Sequence, residues 1–410
     1  MRNGLNITGV SESVHEYRDH PQEAIADFRV TLPLDTGPGA AHRDTACRTR
    51  ALRTGTLRVA RDFTLHHSPF AVPDGAAAGP APAPTAYESA LAAVAACVLI
   101  TKVNGYTARG VSLGSLRVTA RGRLALDADG LRPLPGVPLT DVRWSCAIDC
   151  EAPAELLRSV TRLVAAFSPN HQALLDNAPF TASVHALDAP GGSEPVPVEW
   201  APAERAPADG AVECLVEADA VWEYGSEAVY TTSLTVDGRR RRSEPLTVDQ
   251  AKQMVGIDKG PNSQEILLSA VSAEVAALLV EEADRRCVPL DGARLTASGR
   301  LDTRGMLNVV REVPSRFHAL TLGLGVTGAT PQPQARDLLR AALARAVVPA
   351  TLLSPLAVDI ELLHRGHPVV SCTSTLSDTE ALRDEITRRQ AAAADQERQA
   401  GGRDADVRNS

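Results

Sequence analysis

Cys97 is the side chain in this sequence best suited to covalent chemistry. It sits in Ser89-Ala-Leu-Ala-Ala-Val-Ala-Ala-Cys-Val-Leu-Ile100, an apolar stretch with Glu88 just before it. A thiol works as a nucleophile only as its thiolate, and inside an apolar helix the thiolate needs a nearby cation to offset desolvation. A packing role stays open, because free cysteines are among the most buried side chains. Glu88 has two readings as well, since a negative charge is favourable in a helix's first turn whatever else it does.

The other six cysteines (Cys47, Cys146, Cys150, Cys214, Cys287 and Cys372) are scattered through 410 residues and bring the total to an odd number. That pattern is unlike a secreted disulfide framework, and reduced thiols are expected. Cys146 and Cys150 share one face of a strand, with no His or third Cys nearby to complete a metal site. No HExxH, nucleotide-binding glycine motif or CxxC pair occurs, so neither a cofactor nor a metal is expected.

The elements that must position Cys97 come from a repeat. Offset by 177 positions, residues 84 to 124 align with 261 to 301 without a gap, and 17 of the 41 positions are identical. Chance would give about three or four in so biased a composition. Pro84 pairs with Pro261, Glu88 with Glu265 and Gly122 with Gly299, whereas Cys97 meets Glu274. Each copy reads as short strands, a long helix, two strands, an amphipathic helix and a last strand. In copy 1 the long helix is expected over about Tyr87 to Thr107, apolar all round and therefore covered from several directions.

The expected class is α+β, two copies in one chain forming an intramolecular pseudo-dimer with buried central helices wrapped by antiparallel sheets. Residues 1–30 read as an N-terminal helical extension, 31–188 as copy 1, 189–211 as a Pro/Ala/Gly-rich linker, 212–380 as copy 2, and 381–410 as a charged tail, a frayed helix leading to disorder. The run Arg239 to Arg242 follows Asp237-Gly238 and reads as a solvated turn. A net charge of −8, with no basic stripe along the chain, argues against a nucleic-acid partner. No signal peptide or membrane span is recognised, and a cytoplasmic monomer is expected.

Pro84, Glu88 and Cys97, followed by a strand and later by Ala154-Glu-Leu-Leu-Arg-Ser-Val-Thr-Arg-Leu-Val-Ala-Ala-Phe-Ser-Pro-Asn-His171, resemble the OsmC/Ohr family of osmotically inducible and organic hydroperoxide resistance proteins. The resemblance implies an intertwined pair of units with sites between them, and a peroxidatic Cys97 acting on a small molecule such as an organic hydroperoxide or thiol. It further implies an arginine from the early strands, held by Glu88, beside the thiol; Arg48 and Arg50 are the local candidates in copy 1, and the early strands of copy 2 offer the Arg239 to Arg242 run. The family's resolving cysteine is replaced by Ser168 in Ser168-Pro169-Asn170-His171, so recycling would need an external thiol. Copy 2 keeps neither cysteine, which makes it a structural half on this reading. Three functions follow: a thiol-dependent redox enzyme, a non-redox enzyme pairing Cys97 with His171, and a non-catalytic ligand-binding protein.

Overall fold

The computed structural model describes residues 1–34, 43–73, 81–188, 193–202, 211–389 and 392, apart from 308, 311 and 329. After helix α1 (Ile7–Asp19), the first half carries β1 (Ile25–Pro33), β2 (Thr45–Thr49), β3 (Leu52–Thr54), β4 (Leu57–Val59), β5 (Thr64–His67) and the long helix α2 (Ala86–Ala108). It continues with β6 (Leu113–Leu126), β7 (Thr140–Cys150), α3 (Ala154–Phe167), α4 (Pro169–Leu175), β8 (Phe180–Ala186) and β9 (Val196–Val198). The second half opens with β10 (Val212–Tyr224), β11 (Glu227–Val236), β12 (Arg239–Arg242) and β13 (Leu246–Val248), then α5 (Ser263–Arg286) and β14 (Arg294–Asp302). It ends with α6 (Thr303–Met306), β15 (Ala319–Val326), α7 (Gln332–Arg345), α8 (Val347–Leu353), β16 (Val358–His364), β17 (His367–Ser374) and a helix over 376–389, α9.

The class is mixed α+β, and both sheets take strands from both halves. One runs β4-β3-β1-β14-β15-β8-β9, with β2 and β5 attached; the other runs β12-β11-β10-β6-β7-β16-β17, with β13 attached. The ladders correspond. β1 sets Phe28 opposite Gly299 on β14, and β10 sets Val216 opposite Gly122 on β6, the same two glycines that the 177-residue offset aligns. β15 runs parallel to β8 as β16 runs parallel to β7, so the sheets are mixed where purely antiparallel ones were expected. Gly299 has a steric reason, because a Cβ there would come within 2.5 Å of the Phe317 ring.

The two long helices start with matching reciprocal caps. Thr85 accepts from the Glu88 amide while Glu88 accepts from the Thr85 amide, and Asn262 and Glu265 do the same for α5. Every residue of α2 from Ala86 to Ile100 is buried, because α5 covers one side, β6, β10 and β11 another, and α3 a third. By length and composition α2 could cross a membrane, and its most apolar window is 94% buried inside the protein. α5 packs in turn on β1, β14 and α7.

Segment boundaries differ from the expected ones in two places. The extension ends earlier, since β1 begins at Ile25. The linker contributes β9, paired with β8, while 189–192 and 203–210 lie outside the described residues. The tail begins as a helix through 389, Leu382 packing on Ala166 and Phe167, and nearly all of 390–410 lies outside the described residues.

Candidate functional site

Cys97 lies deep in α2, 3% exposed, where three groups converge on its sulfur. Ser168 Oγ donates at 3.3 Å, the Asn170 amide at 3.5 Å and Gln264 Nε2 at 3.6 Å. Asn170 also ties the two central helices together, its Nδ2 donating to Ala93 O and Ser263 O. Burial pushes the Cys97 thiol up, against the opposing pull of these neutral donors. No charged group is among the causes of that shift.

The cations expected beside Cys97 are elsewhere. Arg48 faces Asp62 on the surface, and Arg50 Nε donates to Thr31. Glu88 is held by Arg241 at 3.0 Å and by Thr232, and is 1% exposed. Arg241 therefore belongs to a strand and a buried ion pair, whereas Arg239, Arg240 and Arg242 are exposed beside the Asp237-Gly238 turn, so the solvated reading of the run fails only at Arg241. At 1.5 Å of rise per residue, the nine residues from Glu88 to Cys97 put this pair about 13 Å down the helix. In the other half the counterpart of Glu88, Glu265, is held by Arg61. The arginine therefore comes from the opposite half in both cases.

His171 does not reach Cys97 either. Its Nδ1 accepts from Trp144 Nε1 at 3.2 Å and its Nε2 is 3.2 Å from Ser374 Oγ, so both ring nitrogens are occupied by other partners. Burial lowers its pKa to about 3, which keeps the ring neutral. Of the sequence-derived site residues, the fold brings Ser168 to Cys97 and leaves Glu88, His171, Arg48 and Arg50 apart from it.

The open space lies at the other end of the helix pair. A cavity of about 480 Å³ is bordered by Glu274 and Ala277 of α5, Tyr87 of α2, Phe70, Pro133 and Arg345. Glu274 stands where the 177-residue offset puts the counterpart of Cys97, and Tyr87 where it puts that of Gln264. The carboxylate accepts from the Val347 amide at 2.6 Å and the Val348 amide at 2.7 Å, and also bonds the Tyr87 hydroxyl. Burial outweighs these donors and raises the Glu274 pKa to about 7. Such a group can exchange a proton near neutrality, or hydrogen-bond a ligand in either protonation state. Phe70 meets the Tyr87 ring edge-on at 6.0 Å and gives the chamber an aromatic wall.

Glu274 and Tyr87 were not recognised from sequence as a site. One signal was available, a carboxylate in the middle of a helix otherwise apolar on that stretch, Ala270-Val-Ser-Ala-Glu-Val-Ala-Ala277. Lys102 was missed too. It is fully buried, donates to Thr161 Oγ1 at 3.0 Å and lies 5.2 Å over the Trp144 ring. Among the described residues no group of three His, Cys, Asp or Glu side chains is arranged to hold a metal ion. The chain matches no protein-family model and no curated protein.

Proposed function

We propose that this protein binds a small, largely apolar molecule in the chamber beside Glu274 and Tyr87, within a fused pair of OsmC/Ohr-like units whose two halves have diverged. The observation that carries the reading is the contrast between equivalent positions. The Glu274 position opens onto a chamber of about 480 Å³, within the usual range of about 300–1,000 Å³ for ligand pockets, while Cys97 is enclosed by neutral donors. The repeat, the corresponding ladders and the crossed arginine-glutamate pairs support the two-unit reading. A thiol-dependent peroxidase draws less support, because among the described residues only neutral donors meet the buried thiol. Pairing of Cys97 with His171 draws none, because the imidazole is committed to Trp144 and Ser374.

The test is a titration with a naphthalene-type fluorophore that brightens in apolar surroundings. Saturable binding should be lost in Ala277→Phe and Leu278→Trp, which fill the chamber, and kept in Cys97→Ser. Equal binding by the filled variants would reject the chamber as the site. Stoichiometric sulfenic acid at Cys97 after a brief organic hydroperoxide pulse at neutral pH would restore the peroxidase reading.

A further inference from the structure

The outer face of the β1·β14 sheet collects arginines that lie far apart in the chain. A concavity of about 710 Å³ is walled by Arg29, Arg50, Arg53, Arg58, Arg294 and Arg300, above the hydroxyls of Thr31, Thr296, Ser298 and Thr321. Among the described residues only Arg300 has a carboxylate partner in this group, Asp27 at 2.8 Å. Arg29 and Arg50 spend one Nε donor each on Ser298 and Thr31. Arg53 and Arg58 stand directly opposite each other in the β3·β4 ladder, an arrangement of like charges that weakens a strand pair. In a chain of net charge −8 this is a local reversal of sign, assembled from distant segments rather than from a basic stripe along the chain.

The matching face of the other sheet is built differently. There Arg121 pairs with Glu217 at 2.6 Å, Arg117 with Asp219 at 3.4 Å, Arg123 with Glu213, and Arg240 with Glu217 at 2.7 Å. By register, Glu217 and Asp219 of β10 occupy the places of Arg29 and Thr31 of β1. The same scaffold thus neutralises its arginines on one sheet and, among the described residues, gives an acid to only one of the six, Arg300, on the other.

We infer that the concavity over β1, β3, β4 and β14 is a binding site for a compact polyanion, a small molecule bearing two or more phosphate or carboxylate groups. Guanidinium forks take such oxyanions bidentately, and the threonine and serine hydroxyls supply further donors. The size fits a small molecule. A single-stranded nucleic acid would need aromatic platforms for its bases, and the one aromatic residue bordering the concavity, Phe28, is fully buried. A membrane surface is flat and would not enter a concavity.

The experiment is calorimetric titration of the whole protein with inorganic tripolyphosphate, at about 10 mM ionic strength, where the Debye length is about 30 Å. Saturable one-to-one binding is expected, weakening at least about tenfold in the exposed triple variant Arg29→Gln, Arg53→Gln, Arg294→Gln. The corresponding variant of the other sheet, Arg117→Gln, Arg121→Gln, Arg240→Gln, should bind as the parent does. Far-ultraviolet circular dichroism verifies that both variants are folded. Equal binding by parent and first triple variant, or absence of binding at that salt, overturns the site. A single-stranded oligonucleotide or an anionic vesicle that binds through the same arginines much more tightly than tripolyphosphate overturns the assignment to a compact ligand.

Discussion

Arg61 and Glu265 form a two-pronged ion pair across the molecule, Nε to Oε1 at 3.0 Å and Nη2 to Oε2 at 2.6 Å, although 204 residues separate them. Arg61 also pairs with Asp258 and donates to Gly260 O, so the guanidinium is fully buried yet supplied with acceptors. The pair locks the start of α5 to the strands of the first half. Removing one partner strands the other charge in the core.

Arg61→Met should therefore destabilise the protein by about 3–5 kcal/mol. Arg300→Met, which breaks the exposed pair with Asp27, should cost less than about 1 kcal/mol. Urea unfolding of both variants makes the comparison. Similar losses would show that Arg61 adds no more than a surface contact.

Cys97 should behave as an inert thiol in the native protein. Burial raises its pKa, so its thiolate fraction at neutral pH falls below that of an exposed cysteine. Brief treatment with iodoacetamide at neutral pH should label the exposed Cys287 and Cys372, with Cys97 modified only after unfolding. Rapid native labelling at Cys97 would contradict its enclosure.

Glu274 should make stability depend on pH in a direction opposite to that of a salt-bridged acid. Its folded pKa, about 7, lies above the usual 4.5, so the folded state holds a proton that the unfolded chain has released. The stabilisation is fully present below about pH 4.5 and is lost as pH rises toward 7. The window corresponds to about 3 kcal/mol. Subtracting the pH profile of Glu274→Gln from that of the parent should isolate this slope, and superimposable profiles would place the carboxylate in water.

His171 should act in the other direction. Its folded pKa of about 3 is depressed from 6.5, so the neutral ring contributes stability above pH 6.5 that is lost as pH falls toward 3. His171→Gln keeps an acceptor for Trp144 Nε1 and removes the titration. Acid unfolding of this variant should begin at a lower pH than in the parent; an unchanged midpoint would mean that other groups control acid stability.

Local order was legible in the sequence because it depends on neighbours a few residues apart. The repeat located Glu88 and Glu265, which become the reciprocal caps of α2 and α5, and the continuous apolar run around Cys97 marked a helix enclosed on all sides. The order read for each copy, a long helix, two strands, an amphipathic helix and a last strand, is that of α2, β6, β7, α3 and β8, with the short α4 added. Which strand lies beside which was decided only in three dimensions, since alternation tells a strand which face is inward but says nothing of its neighbours. β1 pairs with β2 and β3 of its own half along one edge and with β14 of the other half along the other; that second pairing sets Arg29 opposite Ser298 and gathers the six arginines, and no stretch of the chain contains that patch. The same holds for the site. Arg61 and Arg241, not Arg48 and Arg50, reach the helix-opening glutamates because the halves exchange strands. Glu274 looked like the loss of a cysteine in the linear repeat, and only the packing of Tyr87, Phe70 and Arg345 around it gave that carboxylate a chamber.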